Sequence, residues 1–267
     1  MSQMLQQAMR PRRFKMGRTV MALMLREMST TYGRSPGGYL WAVLEPLGGI
    51  AMMTLILAVG LRIRVPSLGT NFMFFFATGV LPFTLYQRTA TKVAMSVTYS
   101  RALLFYPGVT FVDAVLARFL LSVVTQLMVS YIVLAGLMLI YDTRSAFDAW
   151  PVFLSLSMAA ALGLGVGTLN CYLFALFPLW NSLWGILTTP LFLMSCVLFV
   201  MENLPKYARD VMWWNPLTHV TGLMRQGFYP TYHATYASPI YVFGLAGILL
   251  GFGLMLLGRH YRTIINL

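Results

Sequence analysis

The chain has 267 residues, of which 58% are hydrophobic and only 10% are charged, and its mean hydropathy is +0.72. That balance excludes a water-soluble domain of this size and indicates a protein made almost wholly of membrane segments and short loops. The net charge of +12 would suit nucleic-acid binding. In a membrane protein, however, basic residues gather in cytoplasmic loops and at lipid headgroups, so we interpret the charge as topology and expect no nucleic-acid partner.

The first 38 residues are polar and basic. They hold seven lysines and arginines against one acid, Glu27, and they lack the apolar core of a signal peptide. Apolar side chains then recur along one helical arc, at Phe14, Met21, Met24, Leu25 and Met28. This spacing predicts an amphipathic helix in the membrane interface, whose basic side chains reach anionic lipid headgroups. A disordered basic tail is the alternative.

Six apolar segments fill most of residues 39–267 and predict six transmembrane helices. They cover residues 39–61, 72–87, 111–141, 150–176, 183–201 and 239–258. The first segment contains Glu45, followed by Pro46. A carboxylate at hydrocarbon depth costs about 2–3 kcal/mol unless it finds a partner or water. Glu45 therefore either faces a protein-lined, polar place or caps the helix at headgroup depth.

Three of the connecting segments have simple interpretations. Residues 91–106 predict a short cytoplasmic helix, which Pro107 and Gly108 terminate. Residues 178–184 have the composition of a tight loop, and residues 259–267 that of a basic tail.

The segment 202–238 is too apolar for a solvated loop. It contains two short helical stretches, 207–214 and 217–228, on either side of an Asn-Pro break at Asn215. Neither stretch is long enough to cross a bilayer, so together they predict a helical hairpin that re-enters the membrane from the outer face. The alternative is a surface loop whose tryptophans belong to the aromatic belt.

The distribution of basic residues predicts the orientation. Thirteen of the nineteen lysines and arginines fall in residues 1–38, 88–118 and 259–267, and six fall in the opposite connections. The positive-inside rule therefore places both termini in the cytoplasm. Within the fourth span, Ala159, Gly163 and Gly167 recur at four-residue spacing, as Gly247 and Gly251 do in the sixth, and such spacing favours close helix packing.

The sequence lacks the residues that an enzyme or a self-powered pump needs. A Walker A loop places a lysine after a glycine, whereas Lys15, Lys92 and Lys206 follow Phe, Thr and Pro. No carboxylate lies near the middle of a span, and neither the three histidines nor Cys171 and Cys196 have metal-ligand spacing. We therefore expect no catalytic residue, metal site or cofactor in this chain. It provides a pathway that a separate protein drives.

Aromatic side chains concentrate at the ends of the first, second and fifth spans. Flat aromatic faces stack on the apolar faces of sugar rings, and Tyr and Trp add a hydrogen bond. The candidates for lining a substrate channel are Tyr39, Trp41, Phe83, Tyr86, Trp180 and Trp184. Anchoring at the lipid interface is the alternative for most of them.

Two motifs carry a resemblance to a known family. The segment 30–46 has the pattern T-x-Y-G-R-S-x-x-G-Y-L-W-A-x-x-E-P, and residues 214–229 contain W-N-P-L-T-H followed by G-L-M-R-Q-G-F-Y. Together with the order of the spans, they resemble the permease subunits of ABC-2-type exporters, specifically the capsular polysaccharide export group. The first motif is shared with O-antigen and teichoic-acid permeases. The resemblance covers essentially the whole chain.

The resemblance implies an all-α polytopic membrane protein with six spans, an interfacial helix and a re-entrant hairpin. Two copies would pair with two separate ATPase subunits, which bind ATP and Mg, and the cytoplasmic helix would couple to them. The residues implied for that coupling are Ser96, Tyr99, Arg101, Leu104 and Phe105. Those implied for the outer hairpin, which would close the channel, are Trp213, Trp214, Asn215, Pro216, His219 and Arg225.

The implied substrate is a lipid-linked capsular polysaccharide, exported from the cytoplasm across the bacterial inner membrane. Arg34, Glu45 and Arg88 join the aromatic candidates as channel residues, with Arg34 receiving the anionic lipid end. A periplasmic co-polymerase-like adaptor and an outer-membrane polysaccharide exporter would carry the glycan onward. Export of O-antigen, teichoic acid or another lipophilic substrate is one alternative. A membrane-embedded enzyme acting on a lipid-linked sugar is an alternative of another class.

Overall fold

The computed structural model describes residues 15–31, 37–56, 66–105, 108–141 and 147–266. Within these ranges the secondary structure consists of ten α-helices and one 3-10 helix, Met201–Asn203. The α-helices are α1 Lys15–Thr31, α2 Tyr39–Leu55, α3 Phe72–Ala94, α4 Ser96–Leu104, α5 Phe111–Ile140, α6 Ala149–Leu176, α7 Pro178–Met194, α8 Lys206–Trp213, α9 Pro216–Gln226 and α10 Pro239–Asn266.

Three helices, α5, α6 and α10, are long and apolar enough to cross a bilayer. They correspond to the predicted third, fourth and sixth spans. The 17 residues of α2 and of α7 make these helices shorter, and the 23 residues of α3 extend about 34 Å but carry more polar side chains. The predicted all-helical membrane domain is thus confirmed at the level of its helices.

Short polar side chains fix where several of these helices begin. Thr110 and Asp113 form a capping box at the start of α5, and Asp148 accepts a hydrogen bond from the backbone of α6. Asn71 and Asn215 cap α3 and α9 in the same way. Each cap satisfies backbone N–H groups that the helix leaves without a partner.

The α6 helix lies at the centre of the bundle because its small residues let neighbours approach. A Cβ atom on Gly163 would meet Thr89, and one on Gly167 would lie 2.7 Å from the carbonyl oxygen of Ala90, both on α3. On another face, a Cβ on Gly165 would lie 2.5 Å from the carbonyl oxygen of Ala246 on α10. The predicted close packing is therefore confirmed for Gly163 and Gly167 of α6, whereas nothing lies within 4 Å of a Cβ on Gly247 or Gly251 of α10.

Four predicted boundaries are wrong, and one of them is the end of the predicted fifth span, residues 183–201, because α7 ends at Met194. Polar residues begin at Arg88, yet α3 continues to Ala94, so the short helix predicted at 91–106 is the shorter α4 that starts after Met95. The predicted loop 178–184 is helical, because Pro178 occupies the first turn of α7, where proline removes no helical hydrogen bond. The predicted basic tail at 259–267 continues α10 as far as Asn266.

The two ends of the bundle differ. At one end, α9 packs beside the first halves of α3 and α6, and the backbone N–H of Asp148 donates to the carbonyl of Gly227. At the other end, α4 packs against the last turns of α6 and α10, through Val97, Cys171 and Leu257. The interfacial helix α1 lies at this second end and contacts α5.

Candidate functional site

The α3 helix places polar and aromatic side chains toward three different neighbours. Phe83, Gln87 and Thr91 follow each other at four-residue spacing, so they share one face. That face borders α7, while Arg88 contacts α2 and Lys92 borders α1. A single helix therefore connects the candidate substrate path with the elements at the basic end of the bundle.

A cleft of about 420 Å³ lies between α3 and α7. From Phe83 to Thr91 it follows α3 for about 12 Å. Its described lining consists of aromatic, amide, hydroxyl and glycine residues and contains no charged side chain: Phe83, Gln87, Thr91, Phe174, Asn181, Trp184, Gly185, Thr188, Thr189 and Phe192. Rings that stack on sugars and uncharged groups that hydrogen-bond hydroxyls are what a neutral carbohydrate surface requires.

The structure brings some of the predicted channel residues together. Phe83 and Trp184 face each other across the cleft, and the Phe83 ring also packs edge-on against Phe192, at 5.1 Å between centroids. Trp180 lies beside Trp184 and donates its indole N–H to the Asn170 side chain at 3.0 Å.

Other predicted channel residues lie elsewhere. Tyr86 is buried in the core behind Phe83, and Trp41 is 59% exposed on α2. Arg34 and the side chain of Tyr39 lie outside the described residues. Sequence reasoning missed the polar part of the cleft, at Gln87, Asn181, Thr188 and Thr189. The four-residue spacing of Gln87 from Phe83 was the available signal for the first of these.

Glu45 has a partner. Its carboxylate lies 2.6 Å from the Arg88 guanidinium, and the side chains are 68% and 27% exposed respectively. Of the two interpretations offered for Glu45, this favours a partnered carboxylate over a helix cap. The pair joins α2 to α3, the helix that borders the cleft.

Arg225, predicted in the outer hairpin, is fully buried. Its guanidinium donates to the carbonyls of Val197 and Phe199, both at 2.7 Å, and lies 4.2 Å from the ring centroid of Phe75. These bonds fix the irregular stretch after α7, where a turning backbone exposes carbonyls that no helix satisfies. Arg225 thus stabilises the conformation of the hairpin from its buried side.

His219 is buried in the same hairpin. Its Nδ1 accepts from the Ser238 backbone N–H at 3.1 Å, so its Nε2 carries the proton and donates to the Trp213 carbonyl at 2.8 Å. Burial lowers the pKa of His219, which favours this neutral form. Of the other predicted hairpin residues, Asn215 caps α9, Pro216 is its first residue, and Trp214 is 69% exposed.

The predicted coupling residues divide between two faces of α4. Ser96 is buried, with its hydroxyl 3.6 Å from the Cys171 sulfur, and Leu104 packs against the same cluster. Tyr99, Arg101 and Phe105 are exposed on the outer side. One face of α4 is therefore anchored to the bundle, and the other is presented outward.

Comparison with known proteins agrees with this architecture. The ABC-2 type transporter family matches residues 18–229. The polysialic acid transport protein KpsM of Escherichia coli is 30% identical over 248 residues, covering 92% of this chain and 93% of the relative. The capsule polysaccharide export inner-membrane protein CtrC of Neisseria meningitidis serogroup B is 28% identical over 249 residues, 92% of each chain.

A third relative gives the same result. The capsule polysaccharide export inner-membrane protein BexB of Haemophilus influenzae is 28% identical over 239 residues, covering 88% of this chain and 89% of the relative. These matches confirm the resemblance that the two sequence motifs carried. Because the family match covers most of the chain, and these relatives align over nearly all of it, the chain belongs to the ABC-2 type transporter family.

Proposed function

We propose that this chain is the permease subunit of an ATP-driven exporter that moves lipid-linked capsular polysaccharide from the cytoplasm to the periplasm. The observation that carries the proposal is the uncharged cleft between α3 and α7, with Phe83, Trp184 and Phe192 beside amide and hydroxyl groups. A long glycan must be held at many points yet slide past each of them. Stacking and neutral hydrogen bonds suit this, since no single contact is strong. The names of two relatives, CtrC and BexB, give capsule polysaccharide export as their function.

A second copy of the chain would enclose the cleft. Only Thr188 is buried on α7 in one copy, and the helix presents a broad apolar surface outward. That surface comprises Leu179, Leu183, Ile186, Leu187 and Leu193. Contiguous exposed apolar surface marks a lipid-facing or protein-facing side. In the proposed homodimer, it packs against the partner and closes a channel along α7.

The same proposal assigns six spans, with both termini in the cytoplasm and the hairpin at the outer face. Its support is the placement of α9: Leu217, in its first turn, lies in a buried cluster with Met158, and the helix ends beside Gly227, level with the start of α6. A helix that begins inside the bundle and ends at its rim has the geometry of a re-entrant hairpin. Its tryptophans Trp213 and Trp214 then lie at the outer gate.

The energy source is a partner ATPase that binds ATP and Mg. Tyr99, Arg101 and Phe105 on the outward face of α4 are the proposed contacts, together with α1. Because the inner face of α4 packs against α6 and α10, a displacement of α4 by the ATPase is transmitted directly to the bundle. A periplasmic adaptor and an outer-membrane exporter would receive the glycan beyond the inner membrane.

The test measures polysaccharide at the cell surface, per copy of the chain in the membrane. We expect Trp184→Ala and Gln87→Ala to lower surface polysaccharide several-fold while the chain still co-purifies with its ATPase, because both remove cleft contacts. Trp150→Ala is the matched control, since Trp150 is 68% exposed at the start of α6, where it stacks on Phe153. Equal export by all three variants, or a chain that purifies without an ATPase, would contradict the proposal.

A further inference from the structure

Arg118 lies near the start of α5, where α1, α4 and the last turn of α3 meet. Its side chain is only 9% exposed, and every guanidinium nitrogen has a partner. Nε and Nη2 bind the two carboxylate oxygens of Glu27 on α1, at 3.0 and 2.5 Å, and Nη1 donates to the backbone carbonyl of Lys92 at 3.3 Å. Arg118 is not among the described residues that line the cleft between α3 and α7, so its effect on export must pass through the helices that it joins.

The bond between Arg118 and Glu27 fixes α1 against the bundle. Two parallel N–H···O contacts hold the carboxylate in one orientation, which a single contact would not do. The pair is mostly buried, so removing one partner leaves a charge that water reaches poorly. In the part of α1 that the structure describes, Val20 is the single buried apolar side chain. The carboxylate of Glu27 is therefore a principal point of attachment for this helix.

The same guanidinium also contacts α4. It lies 4.4 Å from the ring centroid of Tyr99, a distance at which a delocalised cation is attracted to an aromatic face. Tyr99 is 68% exposed and belongs to the face of α4 that we propose as an ATPase contact. Arg118 thus lies between an acid of the interfacial helix and an aromatic residue of the coupling helix.

Arg118 also stabilises the junction between α3 and α4. The first of these helices ends at Ala94 and the second begins at Ser96, with Met95 at φ −89° and ψ 5° between them. Carbonyl groups in the last turn of a helix have no partner within that helix, and the Lys92 carbonyl, which receives the Arg118 Nη1, lies in that turn. A tilt of α4 about Met95 would therefore disturb the contacts of Arg118.

From this arrangement we infer that Arg118 is a positioning residue through which α1 and α4 move as one unit when the ATPase displaces α4. The inference rests on the proposed function, because it requires a partner that acts on α4. It adds that the displacement reaches α1 through the Tyr99 ring, the Arg118 guanidinium and the Glu27 carboxylate. The two helices would then act on α3 and α5 together.

The first test measures the distance between α1 and α4 in the purified complex of the full chain with its ATPase. Spin labels are attached at Met21→Cys and Ala102→Cys, which change exposed residues, whereas the two native cysteines are buried. We expect one narrow distance that stays the same when a non-hydrolysable ATP analogue binds. In Arg118→Gln the distribution should be broader without nucleotide, and its mean should change when the analogue binds.

Matched variants separate the bridge from a general loss of stability. Arg118→Lys keeps the charge but lacks the planar fork, so its distribution should be intermediate. Arg209→Gln is the control and should give the wild-type distances, because Arg209 is an exposed arginine on α8 whose Nε donates to the Leu204 carbonyl. If Arg118→Gln does not fold, Glu27→Gln takes its place, since it removes the attachment of α1 and leaves the guanidinium on the Tyr99 ring.

The second test compares surface polysaccharide with the ATPase rate of the purified complex. Arg118→Gln should still hydrolyse ATP but export about tenfold less polysaccharide per ATP, a size typical of coupling between two sites. A proportional loss of both activities would give Arg118 a purely structural role and overturn the inference. A wild-type distance that changes with nucleotide, or a narrow and unchanging distance in Arg118→Gln, would overturn it too.

Failure of this inference is distinguishable from failure of the proposed function. A chain that purifies without an ATPase would contradict the proposed function, and with it the transmission of a displacement from α4. The distance distribution without nucleotide would still decide whether Arg118 joins the two helices. A complex that hydrolyses ATP and exports polysaccharide, but whose distances do not depend on Arg118, would overturn the inference alone.

Discussion

The glycines of α6 allow a quantitative test of how the bundle packs. A Cβ on Gly165 would lie 2.5 Å from the backbone carbonyl oxygen of Ala246, which cannot rotate away. By contrast, nothing lies within 4 Å of a Cβ on Gly247, one residue further along α10. Both glycines lie inside long helices, so Gly→Ala brings each the same gain in helix propensity, about 1 kcal/mol. The difference in stability between the two variants therefore measures the cost of the close contact between α6 and α10.

The size of the destabilisation follows from how far the added Cβ overlaps its neighbour. An ordinary van der Waals contact of a Cβ begins at 3.4 Å, so Gly165→Ala must move α6 and α10 apart by nearly 1 Å. Forcing extra volume into a packed core costs about 1–3 kcal/mol. At about 2–4 °C per kcal/mol for a chain of this size, Gly165→Ala should unfold roughly 2–12 °C below Gly247→Ala.

Thermal unfolding of the purified chain in one detergent measures this difference directly. Gly167→Ala serves as a second variant, because its Cβ would lie 2.7 Å from the Ala90 carbonyl oxygen on α3. We expect both α6 variants to unfold below wild type or near it, and Gly247→Ala to unfold at or above it. If Gly165→Ala and Gly247→Ala shift the unfolding temperature equally, the close contact between α6 and α10 is not present in the folded protein.

Two further predictions concern the hairpin. Arg225→Met leaves the buried carbonyl of Val197 and the partly buried carbonyl of Phe199 without this donor, at about 1–3 kcal/mol for the buried one. The unfolding temperature should therefore fall by several degrees, and Arg225→Lys, which lacks the planar guanidinium, should recover only part of the loss. A Met variant as stable as wild type would contradict this. The lowered pKa of His219 makes its stabilising contribution complete above about pH 6.5 and smaller as the pH falls, because the unfolded chain takes up the proton first. The unfolding temperature should therefore fall less steeply below that pH in His219→Gln than in wild type, and parallel curves would exclude the assigned role.

The sequence predicted best the helices whose signal is local. The spans α5 and α6 are long apolar runs with caps at Thr110 and Asp148, and the structure has them within a residue of the predicted bounds. The start of α7 was not predicted because proline is common both in loops and in the first turn of helices. Only the surrounding structure decides which of these Pro178 adopts. The end of α3 was missed because Arg88 was read as the start of a polar loop.

The candidate cleft was only half predictable. Phe83 and Trp184 could be proposed as sugar-stacking residues from their aromatic side chains alone, without knowledge of their neighbours. Gln87, Asn181 and Thr188 are ordinary polar residues until α3 and α7 are brought together. Their relevance is created by tertiary packing between helices distant in sequence, and no local pattern encodes it. The reverse also holds, since the aromatic Tyr86 turned out to be core.

Charge was the feature that the sequence described most incompletely. The sequence indicated Arg118 only as a marker of the cytoplasmic side and Arg88 as such a marker and a channel residue, yet the two pair with Glu27 and Glu45, on helices far away in the chain. These pairs matter because α1 and α2, the helices that they join to the bundle, make few other buried contacts.

In the part of the chain that the structure describes, Val20 is the single buried apolar side chain of α1, and Ala42, Pro46 and Ile50 are those of α2. The Glu45–Arg88 pair is partly exposed and contributes no more than about 1 kcal/mol, whereas the Glu27–Arg118 pair is mostly buried and costs more to break. Segments with so few buried contacts open at low free-energy cost. The helix α2 is therefore the part of this permease that shifts most readily while α3, α5, α6 and α10 stay packed, and its ion pair joins it to α3, the helix that lines the cleft.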